Sequence, residues 1–171
     1  NSSPTLMGVI FSHNTADSKG GGMEIYSSNP TLMHVIFYEN STAPGMGGGI
    51  HIYDDNSSLV IINSILFLNG IISHGSDSTI DISYSNVRQW QGEDGNIHTN
   101  PLFTDPDNGD YTLQASSPCI DAGTADTNGD GVDDITDYFG SAPDMGAFEF
   151  ICESNIYDEC DVCDGDGVNS N

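Results

Sequence analysis

Positive charge is what this sequence lacks most. Lys19 and Arg88 are the only Lys and Arg among 171 residues, against 26 Asp and Glu, for a formal net charge of −24. Phosphate binding needs Lys and Arg clusters that displace counterions, so nucleic acid is excluded as a partner. Anionic membrane surfaces and polyanionic substrates are disfavoured on the same ground, whereas divalent cations are attracted. Runs of helix-forming residues are missing too, while Gly, Asn, Ser, Asp and Thr abound, so helices are not expected. No apolar run approaches the length of a membrane span, and membrane insertion is not expected. The opening "NSSPTLMG" has neither the basic start nor the apolar core of a secretory leader, which predicts a mature or trimmed piece of something longer. The length suits one domain with a real core, or one domain plus a tail.

Cysteine is sparse: Cys119, Cys152, Cys160 and Cys163. The last two are spaced C-x-x-C, but no second such pair and no His pair completes a zinc site. The aspartates of "DECDVCDGDG" would raise a thiol pKa, and no helix start is there to lower it. Disulfides in an extracellular protein are the expected state, with the pairing left open.

What the chain does have is self-similarity. "NSSPTLMGVIFSHN" from Asn1 returns as "SSNPTLMHVIFYEN" from Ser27, a step of 26, and "GGGMEIY" from Gly20 returns as "GGGIHIY" from Gly47, a step of 27. A looser third copy, "IINSILFLN" from Ile61, follows "LMHVIFYEN" at a step of 29. Length changes fall in turn-like segments such as "STAPGM" while the apolar positions hold register, as in stacked repeats. Within each unit apolar residues alternate (Val9 and Phe11, Met23 and Ile25, Val35 and Phe37, Ile50 and Ile52), the period of a strand. The pattern predicts an all-β solenoid with coils at about 1–26, 27–55 and 56–83, whose apolar faces are buried only by stacking. Phe11, Phe37 and Leu66 should share one interior column, and Ile25 and Ile52 another. Asn14, Asn40 and Asn69 should form a ladder that satisfies backbone groups at a bend.

Beyond about residue 83 the repeat stops. "ISYSNV" (82–87), "NIHTNPLFTDPDNGDYTLQASSPCIDAG" (96–123) and "PDMGAFEF" (143–150) resemble the closing part of secreted bacterial right-handed parallel β-helix proteins of the pectate-lyase-like kind. The "PTL…F..N" and "GGGI.IY" units resemble the repeat coils of that family, so the resemblance spans nearly all of residues 1–150, with 84–150 as the closing region. The tail "YDECDVCDGDG", within 151–171, resembles the Asp- and Cys-rich spacers of thrombospondin type 3 repeats, or the start of a further calcium-binding repeat.

Lyases of that family use an Arg or Lys as base and aspartates that hold calcium against the substrate, as the resemblance implies. Lys19 and Arg88 are the only candidates here, on different parts of different coils. Lys19 reads as a solvated turn residue, aligned with Met46, and Arg88 as a structural partner for Trp90, Glu93 or Asp94. A glycosidase would need two carboxylates roughly 5 to 9 Å apart. The register instead places Glu24 beside His51, and gives Asp17 and Glu39 no acidic counterpart one coil away. His13, His34, His51, His74 and His98 show no spacing suited to a metal or catalytic cluster, and no G-x-S-x-G motif occurs. No catalytic residue is assigned.

One motif does carry chemistry. "DTNGDGVDDITD", 126–137, has oxygen-bearing side chains at its first, third, fifth, ninth and twelfth positions and glycine at the sixth, the spacing of an EF-hand calcium loop. Neither flank is amphipathic, and Gly or Pro punctuates both, so the helix pair of an EF-hand is not expected. The spacing resembles the calcium loop of dockerins, which also carry Asp at the twelfth position. Asp126, Asn128, Asp130, Asp134 and Asp137 would offer side-chain oxygens to Ca2+ and Val132 its carbonyl, with Gly131 permitting the sharp turn. The alternative is a flexible acidic hairpin tip.

The expectation is therefore a non-catalytic, calcium-stabilised, extracellular β-solenoid segment of a larger surface or secreted protein, structural or adhesive in role. Its partners would be subunits of the same type, neighbouring repeats of a longer chain, or glycans. A carbohydrate-active enzyme or carbohydrate-binding module is the alternative, with Tyr26, Tyr53 and Trp90 as surfaces for sugar rings. Asn1, Asn40 and Asn56 each begin an N-x-S/T sequon.

Overall fold

The structure, a computed structural model, describes residues 2–42, 47–53, 56–70, 72–88 and 94–152. It is all-β, with short strands arranged mainly in parallel sheets. The first repeat unit supplies β1 (Thr5–Met7), β2 (Ile10–Ser12), β3 (Thr15–Ala16) and β4 (Met23–Ile25). The second supplies β5 (Thr31–Met33), β6 (Ile36–Tyr38), β7 (Ser41–Thr42) and β8 (Ile50–Ile52). β9 (Ser58–Ile62) and β10 (Ile65–Phe67) follow, then β11 (Thr79–Ser83) and β12 (Asn86–Val87).

Among the described residues, no strand of these units pairs with its sequence neighbour. One sheet runs β1-β5-β9-β11, a second β12-β10-β6-β2, and two-stranded sheets join β3 to β7 and β4 to β8. The steps read from sequence reappear as strand register. Leu6 lies opposite Leu32 and Leu32 opposite Ile61, while Phe11, Phe37, Leu66 and Val87 form one paired column. Ile25 pairs with Ile52, and Glu24 with His51.

Two successive elements are joined by a bend whose first residue is left-handed. Gly8 (φ 64°), His34 (φ 50°), Asn63 (φ 51°) and Tyr84 (φ 47°) occupy this place in the four units. Glycine is at ease there, and Asn tolerates it, but His and Tyr hold it at a cost that their surroundings must offset. The next residue points inward: Val9, Val35, Ser64, Ser85. This interior column turns from apolar to polar along the stack, and from Val35 onward each backbone N–H finds a side-chain oxygen one unit ahead. Val35 N–H donates to Ser64 Oγ (3.2 Å), Ser64 N–H to Ser85 Oγ (3.1 Å) and Ser85 N–H to Asn96 Oδ1 (3.0 Å). Those buried donors are thereby satisfied without water.

Between β3 and β4 the units approach so closely that only glycine fits. A Cβ on Gly22 would lie 2.8 Å from both the Gly49 carbonyl oxygen and the Phe37 ring. The "GGG" runs thus let one unit's backbone lie directly on the next.

Two apolar clusters result. The interior one contains Ile25, Leu32, Val35, Phe37, Ile50, Ile52, Leu59, Ile61, Leu66, Ile72, Ile82 and Val87. The second forms on the outer face of the β2–β6–β10 sheet, where Ile36, Tyr38 and Ile65 meet residues from 101–147. There β13 (Phe103–Asp105) and β14 (Asp110–Leu113) make an antiparallel pair around a 3-10 turn at Pro106–Asn108. Phe103, Tyr111, Leu113, Cys119 and Met145 pack inward from this layer. No helix among the described residues is long and apolar enough to cross a membrane.

Candidate functional site

The calcium-type loop emerges from this outer layer, between the Cys119 segment and Met145. Asp126 organises it. Its Oδ1 accepts the N–H groups of Gly129 (2.7 Å) and Asp130 (3.2 Å), and its Oδ2 that of Gly131 (2.7 Å). These donors, Gly131 foremost, hold the carboxyl pKa below its ordinary value, so the anion persists into acid. Asn128 Oδ1 accepts from Asp130 N–H (2.9 Å), and Asp130 Oδ1 from Val132 N–H (2.9 Å). Asp134 Oδ2 accepts from Thr127 N–H (3.0 Å) and Oγ1–H (2.7 Å), while its Oδ1 faces the Asn128 amide nitrogen at 3.4 Å. Asp134 and Ile135 N–H both donate to the Ala125 carbonyl, closing the loop at its base.

Four of the expected ligands, Asp126, Asn128, Asp130 and Asp134, are therefore gathered on one exposed loop. Asp137 is placed differently. It lines a small cavity with Met7, His34, Gly146 and Glu149 and adds to the negative surroundings that, after burial, raise the Glu149 pKa. Among the described residues, no three His, Cys, Asp or Glu side chains gather as a metal site. The donors are all oxygen and suit a hard cation, whereas their arrangement is a hydrogen-bonded turn.

The base of this layer is fixed by a buried polar clamp that the sequence did not reveal. His34 Nδ1 meets the Gly146 carbonyl at 3.2 Å, and its Nε2 meets Asn63 Nδ2 at 3.2 Å. Asn63 also bonds Thr124 twice, Nδ2–H to the carbonyl (2.8 Å) and Thr124 N–H to Oδ1 (2.8 Å). With both amide ends of Asn63 committed, His34 must accept at Nε2 and donate at Nδ1: it is neutral. Burial lowers its pKa accordingly, against the opposing pull of the Gly146 carbonyl. Beside it Asp144, 1% exposed, accepts N–H bonds from Asp121 (2.8 Å) and Phe150 (2.6 Å). Burial nevertheless pushes its pKa up to about 6.

The other residues singled out from sequence are scattered. Lys19 Nζ lies 4.5 Å above the Tyr53 ring, a cation–π contact. Tyr53 is 54% and Tyr26 65% exposed, with ring centroids 5.4 Å apart. His51, two residues before Tyr53 and 6.2 Å from it between ring centroids, holds Ser73 Oγ at 2.6 Å through Nδ1, and its buried Nε2 has no partner. His13 faces Glu39 at 3.3 Å on the surface, and His74 meets the Gly75 carbonyl at 2.8 Å. Arg88 lines a cavity with Leu66, Asn69 and Val87. Met46, Trp90 and Glu93 lie outside the described residues, as do Asn1, Cys160, Cys163 and nearly all of the tail.

Cys119 departs from the disulfide expectation. It is a free thiol buried in the second cluster, 3.2 Å from Asn86 Nδ2, with its pKa raised by burial to about 11. Cys152 is disulfide-bonded. Asn40 cannot carry sugar in this fold: it is 1% exposed, and its Nδ2 donates to Phe11 O (2.7 Å) and Asn69 Oδ1 (2.9 Å). No protein-family model matches the chain, and neither a curated protein nor a solved structure matches it.

Proposed function

We propose that residues 1–150 are a segment of a right-handed parallel β-helix serving as a calcium-stabilised scaffold in a larger surface or secreted bacterial protein. The carrying observation is the register. Three sequence copies stack parallel at the steps of 26 and 29 residues, with Leu6, Leu32 and Ile61 superposed and a hydrogen-bonded Asn14–Asn40–Asn69 ladder beside them. Such stacking grows by addition of units, which suits a stalk or adhesive surface. The resemblance of the "NPLF…SPCIDAG…DMGAFEF" series to secreted β-helix proteins supports the extracellular location. The loop 126–137 would take Ca2+ through Asp126, Asn128, Asp130, Asp134 and Asp137 with the Val132 carbonyl, on the strength of its spacing and oxygen donors. The purified chain should release no reducing ends from any polysaccharide in a panel of neutral and acidic glycans. Release of oligosaccharide would overturn the scaffold reading.

A glycan-binding role is the second reading. It is favoured by the exposed Tyr26–Tyr53 pair, whose rings offer sugar-stacking surface beside Glu24 and Lys19. Glycan-array signal lost in Tyr26→Ala would support it, and an array without signal would remove it.

A further inference from the structure

Across three successive units, one register position reads Glu24, His51 and Ser73. Glu24 lies opposite His51 in the β4–β8 pair, and His51 is bridged in parallel to Ser73 one unit further on. Two backbone bonds flank that bridge, Ile52 N–H to Ser73 O (2.8 Å) and Ser73 N–H to Ile50 O (3.1 Å). They hold the serine against the imidazole, where Ser73 Oγ and His51 Nδ1 meet at 2.6 Å. Gly47 leaves the hydroxyl its room, because a Cβ there would lie 2.5 Å from Oγ. Ser73 itself stays partly exposed.

The imidazole is 8% exposed, and among the described residues its buried Nε2 has no hydrogen-bond partner. A buried polar atom left unpaired is rare and calls for a cause. When the Ser73 hydroxyl donates to Nδ1, Nε2 carries the ring proton and needs an acceptor. Glu24, exposed and in register with His51, is the carboxylate placed to supply one. Burial, then the Lys19 ammonium, lower the His51 pKa against the pull of Glu24, so the ring is neutral at pH 7 and able to take a proton. Lys19 Nζ lies over the Tyr53 ring, whose centroid is 6.2 Å from that of His51. Hydroxyl, imidazole and carboxylate thus stand in line, with a cation and an exposed aromatic ring beside them.

We propose that Ser73, His51 and Glu24 form a hydrolytic site for an acyl ester of a neutral sugar, with the sugar ring stacked on Tyr53. Ser73 Oγ attacks the acyl carbon and gives its proton to His51 Nδ1. The Lys19 ammonium, close enough to act on the imidazole, favours the oxyanion that forms. The C–O bond to the sugar then breaks, and the sugar oxygen leaves with the proton from Nδ1. Water attacks the acyl-serine in turn; its proton returns through Nδ1 to Ser73 Oγ as the carboxylic acid departs. Glu24 takes no proton and is a positioning residue, holding the ring through Nε2–H. The net charge of −24 repels an anionic substrate. The sugar rests on the glycan-binding reading of the Tyr26–Tyr53 pair, whereas the hydrolytic step does not. Neither disturbs the scaffold reading, because deacylation frees no reducing end.

The test treats the full chain with a serine-directed fluorophosphonate, locates the adduct by mass spectrometry and records the Tm of every variant. Ser73 should be labelled in the parent, and at least about a hundredfold more slowly in His51→Gln. Glu24→Gln should slow labelling at least about tenfold at the parent's Tm, and Glu24→Asp should restore most of the rate, which a merely structural role would not do. The parent should also release acetate from an O-acetylated neutral polysaccharide, and Ser73→Ala should not. An unlabelled Ser73 in the parent overturns the proposal, as does equal labelling in folded His51→Gln or acetate release that survives Ser73→Ala. If His51→Gln does not fold, the Glu24 pair decides instead, and equal rates in Glu24→Gln and the parent overturn it. Failure of the glycan-binding reading looks different: Ser73 is labelled and a small aryl acetate is turned over, but the polysaccharide keeps its acetate. That result overturns the sugar as substrate and leaves the hydrolytic step standing.

Discussion

Phe37 sits where three kinds of contact converge: it is 0% exposed, stacked on Phe11 at 4.5 Å between centroids, and pressed against the backbone of Gly22. Nothing nearby can relax into the space a smaller side chain would leave, since the glycine backbone is already fixed by bonds to the next unit. Phe37→Ala should therefore cost about 3 to 5 kcal/mol in denaturant unfolding; a loss under about half a kcal/mol would contradict the shared interior column. Cys119 gives a second residue-scale expectation. A thiol held at about 11 in a dry cluster carries almost no thiolate at pH 8, so iodoacetamide should leave it unmodified in the folded chain and alkylate it in denaturant. Alkylation of native protein at the rate of an exposed thiol would mean that the outer layer opens readily.

At the scale of elements, the bends between strands decide where the outer layer attaches. His34 and Asn63 occupy the left-handed place in successive units and reach outward to Gly146 and Thr124. Because the folded pKa of His34 is lowered, its contribution is complete above the unfolded value near 6.5 and is lost as pH falls through the folded pKa. Asp144 works the other way. Its raised folded pKa, about 6, favours the folded state as pH falls from above that value toward the unfolded one, near 3.9. The two effects overlap, so His34 is isolated by difference. The stability gap between the parent and His34→Gln should be largest above pH 7 and shrink as pH falls below 6.5, read from urea midpoints. A gap independent of pH would show that His34 protonation is not coupled to folding. The strands were legible in sequence because Leu6 and Phe11 return as Leu32 and Phe37 at a step of 26, and the pairs Val9/Phe11 and Val35/Phe37 alternate with period two, so that stacking covers their apolar faces. The clamp was not legible, since His34 replaces Gly8 and is replaced by Asn63, and a bend residue of changing type carries no periodic signal. The polar interior column of Ser64, Ser85 and Asn96 was hidden likewise, because serine and asparagine read as turn formers until a backbone N–H is seen donating to each.

For the whole molecule the decisive quantity is charge. A net charge of −24 with two basic residues opposes compaction, and no internal ion pairing can cancel it. The fold answers in part with backbone donors, as Asp126 shows with three N–H bonds, and in part by burial, which drives Asp144 toward neutrality. A bound divalent cation would answer it more directly. If Ca2+ enters the loop at 126–137 with an affinity of order 0.1 to 1 mM, millimolar calcium would occupy it. Calcium at about a hundred times the dissociation constant would then stabilise the folded chain by roughly 2.7 kcal/mol. The loop as it stands gathers Asp126, Asn128, Asp130 and Asp134 but leaves Asp137 near Glu149, so binding should be accompanied by a local movement of Asp137, visible as amide chemical-shift changes at 135–139. Asp126→Asn removes the charge and keeps one acceptor oxygen for Gly129 and Asp130 N–H, while its amide NH2 replaces the oxygen that accepts from Gly131 N–H. It should abolish most of the calcium-dependent rise in Tm, read as the difference between calcium and chelator within each protein. A rise that persists in the variant would place the cation elsewhere, with the acidic tail the next region to probe. An identical Tm in calcium and in chelator for the parent would show that 126–137 is a turn and nothing more.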